Sequence, residues 1–178
     1  VFLKKEISKL IDGPVFAPHI TTSEDFLLET IGWEQESNPS LIFKLYAAYL
    51  DLNLKEKDSF SDFSKWAQTL LGDFNEIDRY LVSPKEIFSY LSDVKRIESW
   101  ELSPGESADS QLISDYLKFW ENLPEFYSNF KNILLQEGKV YQGLAYREMA
   151  ENISKYLPTL KAKYKSFYFI GFSALNNS

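Results

Sequence analysis

The chain has 178 residues, 44% of them hydrophobic and 25% charged, which are ordinary values for a globular protein and exclude disordered and fibrous classes. It carries 19 Lys and Arg against 26 Asp and Glu, a net charge of −7, which argues against a surface that coats nucleic-acid phosphates over its whole extent. The absence of cysteine excludes disulfides, thiol nucleophiles and thiolate metal sites, and a single histidine leaves no ordinary zinc ligand set.

Hydrophobic periodicity predicts a mainly α-helical chain with one short strand near each end. The runs of apolar residues PVFAP (14–18) and FYFI (167–170) predict those two strands and predict that both are buried; the continuous second run is typical of a strand buried on both faces in a parallel sheet. Apolar residues at helical spacing predict seven helices, over 2–12, 24–31, 40–52, 58–82, 83–94, 108–138 and 140–157. A loop is expected over 95–110. Pro124 is expected to kink or split the sixth helix, and Pro158 is expected to end the last one.

The termini of the sequence predict a fragment of a longer protein. It begins with Val1 rather than an initiator methionine, and it ends just after the second strand-like run. No apolar run approaches the roughly 20 residues that span a bilayer, and the first residues carry charges inside their apolar run, unlike a signal peptide. A chain that folds in water, without a membrane anchor, is therefore expected.

Charge is distributed unevenly along the sequence. Residues 1–9 carry a net +2 and residues 152–178 a net +4 with no acidic residue, whereas residues 10–151 carry −13. If the two ends meet, the lysines form a basic patch on an acidic body. The alternative is that Lys161, Lys163 and Lys165 are only the solvated end of a helix.

The motifs that would carry catalysis are missing or incomplete. Gly138-Lys139 lacks the first glycine and the hydroxyl residue of a phosphate-binding loop, and Glu137-Gly138-Lys139 fits a turn better than a nuclease centre. Asp73, Glu76 and Asp78 could bind Mg²⁺, but their spacing on a helix favours a solvated face paired with Arg79. We expect neither an active site nor a metal site in this chain.

Four blocks of the sequence together resemble a known family: APHITTSEDF (17–26), LIFKLYAAYL (41–50), FSDFSKWAQTLLGDFNEIDRYLV (60–82) and FYFIGFSALN (167–176). They are similar to the N-terminal region of bacterial AddB-type helicase-nuclease subunits of the PD-(D/E)XK nuclease family, which act in double-strand-break repair and recombination. The blocks are spread over nearly the whole chain.

The resemblance implies a fold in which residues 1–23 and 164–178 are the remnant of a RecA-like helicase domain. The two chain ends would form a short parallel β-pair, and residues 24–163 would be a bundle-like helical insertion of about seven helices. In an active helicase of this type the later strand ends in Asp-Glu, which holds Mg²⁺ and positions the attacking water. Here Gly171 and Phe172 stand there, which implies a degenerate ATPase motif.

The function implied by the resemblance is non-catalytic: the fragment would guide DNA or contact a partner subunit of a cytoplasmic ATP-dependent exonuclease. No cofactor is expected in the fragment, and Mg²⁺ is expected only at the parent protein's distant nuclease centre. Single-stranded DNA is the expected ligand, bound by Thr21, Thr22, Lys161, Lys163 and Lys165. Thr21 and Thr22 could instead only cap a helix, and the chain could instead be a helical protein-interaction module with no DNA contact.

Overall fold

The computed structural model describes the backbone of residues 2–101 and 110–171, and the side chains of these ranges except those of 96–101 and 110–117. Within these ranges the chain forms eight helices and two short strands. In chain order they are α1 (Phe2–Ser8), α2 (Ser23–Ile31), β1 (Glu34–Gln35), α3 (Asn38–Leu50), α4 (Phe60–Arg79), α5 (Pro84–Glu101), α6 (Ser110–Gln136), β2 (Lys139–Val140), α7 (Gln142–Glu151) and α8 (Ile153–Lys163). The predicted fold class, mainly α with a short parallel β-pair, is confirmed.

The helices form where apolar residues recur every three to four positions. On α4 the buried positions Phe63, Ala67, Leu71, Phe74 and Asp78 follow this period and lie on one face. That face packs against α3 on one side and α7 on the other, while α6 packs against α3 and α5. The long central helices therefore share one core.

Aromatic side chains fill the centre of this core. Phe63, Phe74, Phe126 and Phe130 are completely buried, and the Phe74 ring meets Phe126 and Phe130 with centroid distances of 5.9 and 6.3 Å. Each aromatic ring removes roughly 150–250 Å² from water, so a chain of this length can build a substantial core from them.

The parallel β-pair lies in a different place from the predicted one. β1 pairs with β2 in the register Glu34 to Lys139 and Gln35 to Val140, and Lys139 forms an ion pair with Glu34 across the pair. Residues 14–18 and 167–170 form no strand, although both runs are apolar. A strand needs a neighbouring backbone to pair with, and within the described residues neither run has one.

Several helix boundaries also differ from prediction: α1 ends at Ser8 rather than at residue 12, and the helix predicted over 140–157 is divided at Asn152 into α7 and α8. Residues 95–101 continue α5 rather than starting the expected loop, and residues 102–109 lie outside the described range. Pro124 lies inside a continuous α6, so of the two predicted outcomes the helix is not split, and Pro158 lies inside α8 instead of ending it. Ser154, whose carbonyl has no donor at Pro158, is exposed, so water can supply the missing hydrogen bond. Among the described residues no helix has both the length and the apolar character to cross a membrane.

Candidate nucleic-acid interface

The segment before α2 and the segment after α8 meet at His19 and Tyr164. Their rings stack with centroids 5.9 Å apart and planes 8° apart, and the Tyr164 hydroxyl and His19 Nδ1 are hydrogen-bonded at 3.0 Å. His19 Nε2 also lies 3.9 Å from Glu29 Oε2 of α2. The segment before α2 and the segment after α8 are therefore joined on one surface, which we call the chain-end surface (residues 14–22 and 161–171).

Phe26 of α2 anchors the second of these segments. Its ring lies against Tyr164 and Phe167 with centroid distances of 6.2 and 5.9 Å, and Tyr164 and Phe167 are themselves 5.5 Å apart. Because α2 packs against α7 and α8, these ring contacts connect the chain-end surface to the core.

The three predicted lysines lie on this surface. Lys161 and Lys163 are in the last turn of α8, Lys165 lies two residues after its end, and all three are exposed. Within the described part of the chain, no carboxylate lies within 4.0 Å of any of their amino groups. Lysines at a helix C-terminus also interact favourably with the helix dipole, so they stabilise α8 whether or not they bind a ligand.

The two predicted threonines differ in their contacts. Thr22 is the N-cap of α2: its Oγ1 accepts the Asp25 backbone N–H at 3.0 Å and donates to Asp25 Oδ2 at 2.8 Å. The predicted helix cap is thus confirmed for Thr22, whereas Thr21 precedes the cap and does not form it. Thr21 is exposed, and its hydroxyl has no hydrogen-bond partner among the described residues, so it is the freer of the two to meet a phosphate.

Exposed aromatic side chains accompany the lysines. Phe16 is completely exposed, and Tyr168 and Phe169 are 85% and 73% exposed. The sequence pattern predicted these residues to lie in buried strands, and that prediction is wrong for the described chain. Exposed aromatic faces beside cationic side chains are what sequence-tolerant binding of single-stranded nucleic acid uses, because bases stack on the rings.

The two residues that the resemblance identifies as a degenerate ATPase motif lie at the edge of the described range. Gly171 is exposed with a φ of 86°, a left-handed conformation that glycine adopts without strain. Phe172 lies outside the described residues. The interpretation of this pair as a degenerate motif therefore stays a prediction.

The carboxylates considered for Mg²⁺ separate into two environments. Asp73 and Glu76 are exposed, and Arg79 Nη1 lies 3.9 Å from Glu76 Oε1, as a solvated face requires. Asp78 is instead completely buried, so its placement on the solvated face was wrong. The described residues contain no group of three or more side chains positioned to hold a metal ion.

Asp78 is the centre of a buried polar network that the sequence reasoning missed. Its Oδ1 accepts hydrogen bonds from Tyr127 Oη at 2.5 Å and Arg147 Nε at 2.6 Å, and its Oδ2 accepts one from Tyr141 Oη. Arg147 Nη2 donates to the carbonyls of Ile77 at 3.0 Å and of Val82 at 2.5 Å. Asp78 is completely buried and both of its carboxylate oxygens accept hydrogen bonds, as expected of a buried carboxylate that holds helices together.

Burial changes the ionisation of the two tyrosines in this network. Loss of solvent contact, together with the neighbouring Asp78 carboxylate, raises the pKa values of Tyr127 and Tyr141 above that of free tyrosine. Both hydroxyls therefore keep their protons and act as donors to Asp78 at neutral pH.

Comparison of the chain with models of protein families, with curated proteins and with solved structures gives no match.

Proposed function

We propose that this chain is a non-catalytic, helicase-like part of an ATP-dependent helicase-nuclease, and that it guides single-stranded DNA across the chain-end surface. The observation that carries the proposal is the joining of the two flanking segments at His19 and Tyr164, which brings lysines and exposed aromatic rings onto one surface. The resemblance of the four sequence blocks to AddB-type subunits supports the same function.

The chemistry of the surface suits a strand of nucleic acid better than a folded duplex. Lys161, Lys163 and Lys165 have no carboxylate partner within the described chain and can meet successive phosphates, although Lys163 Nζ also lies 5.2 Å from the centre of the Tyr164 ring. Phe16 and Tyr168 offer faces on which unpaired bases can stack. The acidic body repels DNA elsewhere, because residues 10–151 carry a net charge of −13. Binding is therefore confined to this surface and is weak and salt-dependent.

The test is fluorescence anisotropy with a labelled single strand of about 15 nucleotides and with the matching duplex. The unaltered chain is expected to bind the single strand more tightly, and Lys161→Glu/Lys163→Glu/Lys165→Glu is expected to weaken that binding at least about tenfold. The control variant Lys55→Glu/Lys57→Glu/Lys85→Glu changes the net charge equally on other elements. Equal weakening in both variants would show a general charge effect and would overturn the proposal.

A second function is favoured by the apolar character of the same surface. Val15 is 61% exposed and Ile170 is 69% exposed, and neither side chain offers anything to a phosphate or a base beyond apolar contact. A helical protein-interaction module would use these residues to dock a partner subunit, which is the alternative function. The absence of DNA binding at low salt, together with capture of a helicase-nuclease partner that Val15→Ser/Ile170→Ser abolishes, would favour this alternative.

A further inference from the structure

A cleft of about 390 Å³ opens between α3, α4 and the residues that follow the β-pair. Three of its lining residues are buried and hydrophobic, namely Leu41, Leu71 and Tyr141. Its other lining residues include five carboxamides: Gln35, Asn38, Gln68, Asn75 and Gln142. The cleft thus combines an apolar floor with an amide-rich rim, and its size lies within the range of small-ligand sites.

Gly72 lies beside this cleft for no reason of folding. It occupies the interior of α4, where glycine is the poorest helix former after proline. A Cβ built at this position meets no atom within 4 Å, so no close packing requires a glycine. A glycine that weakens a helix without improving its packing is expected where function requires it. Here the missing side chain keeps the cleft open.

The amides of the rim are available to a ligand. Within the described chain, the side chains of Gln35, Asn38 and Gln68 have no hydrogen-bond partner and are exposed. Asn75 uses only its oxygen, which accepts the Gly143 backbone N–H at 2.8 Å, and Gln142 uses only its nitrogen, which donates to Glu24 at 3.1 Å. The rim therefore presents both donors and acceptors.

We infer that this cleft binds an adenine base. A planar ring fits an apolar floor, and carboxamides pair with the donor and acceptor on the edge of adenine. The described lining residues include no Lys, Arg or His to bind a phosphate group or the O6 and N7 acceptors of guanine. Both carboxylate oxygens of Glu36 are engaged, since Oε1 accepts the Ser37 backbone N–H at 2.9 Å and Oε2 lies 3.7 Å from Lys44 Nζ, so neither is free for the N–H donors of guanine. The base is taken either from a free nucleoside or from a single strand, and this inference does not depend on the DNA path proposed above.

The test is calorimetric titration with adenosine and guanosine, up to about 1 mM, and anisotropy with oligo(dA) and oligo(dT). Gly72→Leu places a side chain in the cleft and leaves the helix intact, which its melting temperature checks, and Gln68→Leu removes one amide without filling the space. Thr69→Leu, at an exposed position of the same helix that does not line the cleft, is the control.

We expect adenosine to bind at least tenfold more tightly than guanosine, and we expect Gly72→Leu and Gln68→Leu, but not Thr69→Leu, to weaken adenosine binding at least tenfold. If the chain prefers oligo(dA) and the same two variants remove that preference, the base comes from a single strand. If the two variants weaken only the binding of adenosine, the base comes from a free nucleoside. Absence of both adenosine binding and oligo(dA) preference, or binding that neither variant weakens, would overturn the inference. The Lys161→Glu/Lys163→Glu/Lys165→Glu variant is expected to bind adenosine as the unaltered chain does. The adenosine assay therefore tests the cleft separately from the proposed DNA path.

Discussion

Asp78 and Arg147, 69 positions apart in the sequence, form a buried ion pair between α4 and α7, with Arg147 Nε 2.6 Å from Asp78 Oδ1. Tyr127 of α6 and Tyr141 before α7 complete the shell of the carboxylate. Arg147 also binds the Ile77 and Val82 carbonyls at the end of α4. One residue pair therefore fixes the relative position of three helices.

Removal of the carboxylate should be strongly destabilising. Asp78→Ala leaves the Arg147 guanidinium buried without its counter-charge, so we expect a loss of about 3–5 kcal/mol in the free energy of unfolding, measured by urea denaturation. Glu76→Gln changes an exposed carboxylate on the same helix and should cost less than about 0.5 kcal/mol. A loss below about 1 kcal/mol in Asp78→Ala would contradict the role assigned to this network.

The buried tyrosines predict a loss of stability at alkaline pH. Their pKa values are raised in the folded chain, so above about pH 10 the unfolded chain releases protons that the folded chain keeps. The contribution of the two protonated tyrosines to the free energy of unfolding is fully present below about pH 10. It falls as pH rises further, by up to about 2.7 kcal/mol per pH unit for the two groups together. Urea denaturation between about pH 8 and 11 should show this fall, and Tyr127→Phe/Tyr141→Phe should make it shallower; an equal slope in both proteins would refute the assignment.

The cap of α2 should contribute measurably to stability. Thr22→Ala removes the acceptor for the Asp25 N–H and should cost about 1 kcal/mol in thermal or urea denaturation. Thr21→Ala is the matched control, since its hydroxyl has no partner within the described residues, and its cost should be near zero. If Thr21→Ala weakens DNA binding with unchanged stability, Thr21 contacts the strand as proposed. Equal stability of the two variants would contradict the capping role of Thr22.

Two helical glycines should respond to alanine in opposite directions. At Gly143 a Cβ would lie 2.2 Å from the Asn75 carbonyl oxygen, so Gly143→Ala forces α7 away from α4 and should cost about 1–3 kcal/mol. At Gly72 the space is open, and Gly72→Ala should stabilise the chain by about 0.5–1 kcal/mol. Calorimetry of both variants measures the two changes in melting temperature. A lower melting temperature for Gly72→Ala would contradict the open space assigned to this position.

The sequence predicts the helices well because their signals are local. The apolar period of α4 and the Ser83 side chain at the start of α5, which accepts the Glu86 N–H at 3.4 Å, are both readable from neighbouring residues. The β-pair could not be found this way, because strands of two residues carry no period and their pairing joins positions about a hundred residues apart.

The buried network carried a signal that the charge pattern concealed. Asp78 follows Leu71 by seven positions and Phe74 by four, which places it on the apolar face of α4. Its position near Asp73 and Glu76 in the sequence instead favours the solvated face. Its partner Arg147 could not be identified from sequence, since nothing local connects α4 to α7.

The candidate interface was predictable in part. The basic character of residues 161–165 and the helix-capping residues are visible in the sequence, but the contact between His19 and Tyr164 is long-range and depends on how α2 packs against α8. The exposure of Phe16 and Tyr168 contradicts the usual burial of such apolar runs and required the structure.

The most direct test of the central claim, that the three lysines of the chain-end surface hold single-stranded DNA, is the salt dependence of binding between about 50 and 200 mM salt. Three phosphate contacts predict a slope of log K against log salt of about −2, which should approach zero in Lys161→Ala/Lys163→Ala/Lys165→Ala. No binding at the lowest salt, or the same slope in the unaltered chain and the variant, would contradict the account.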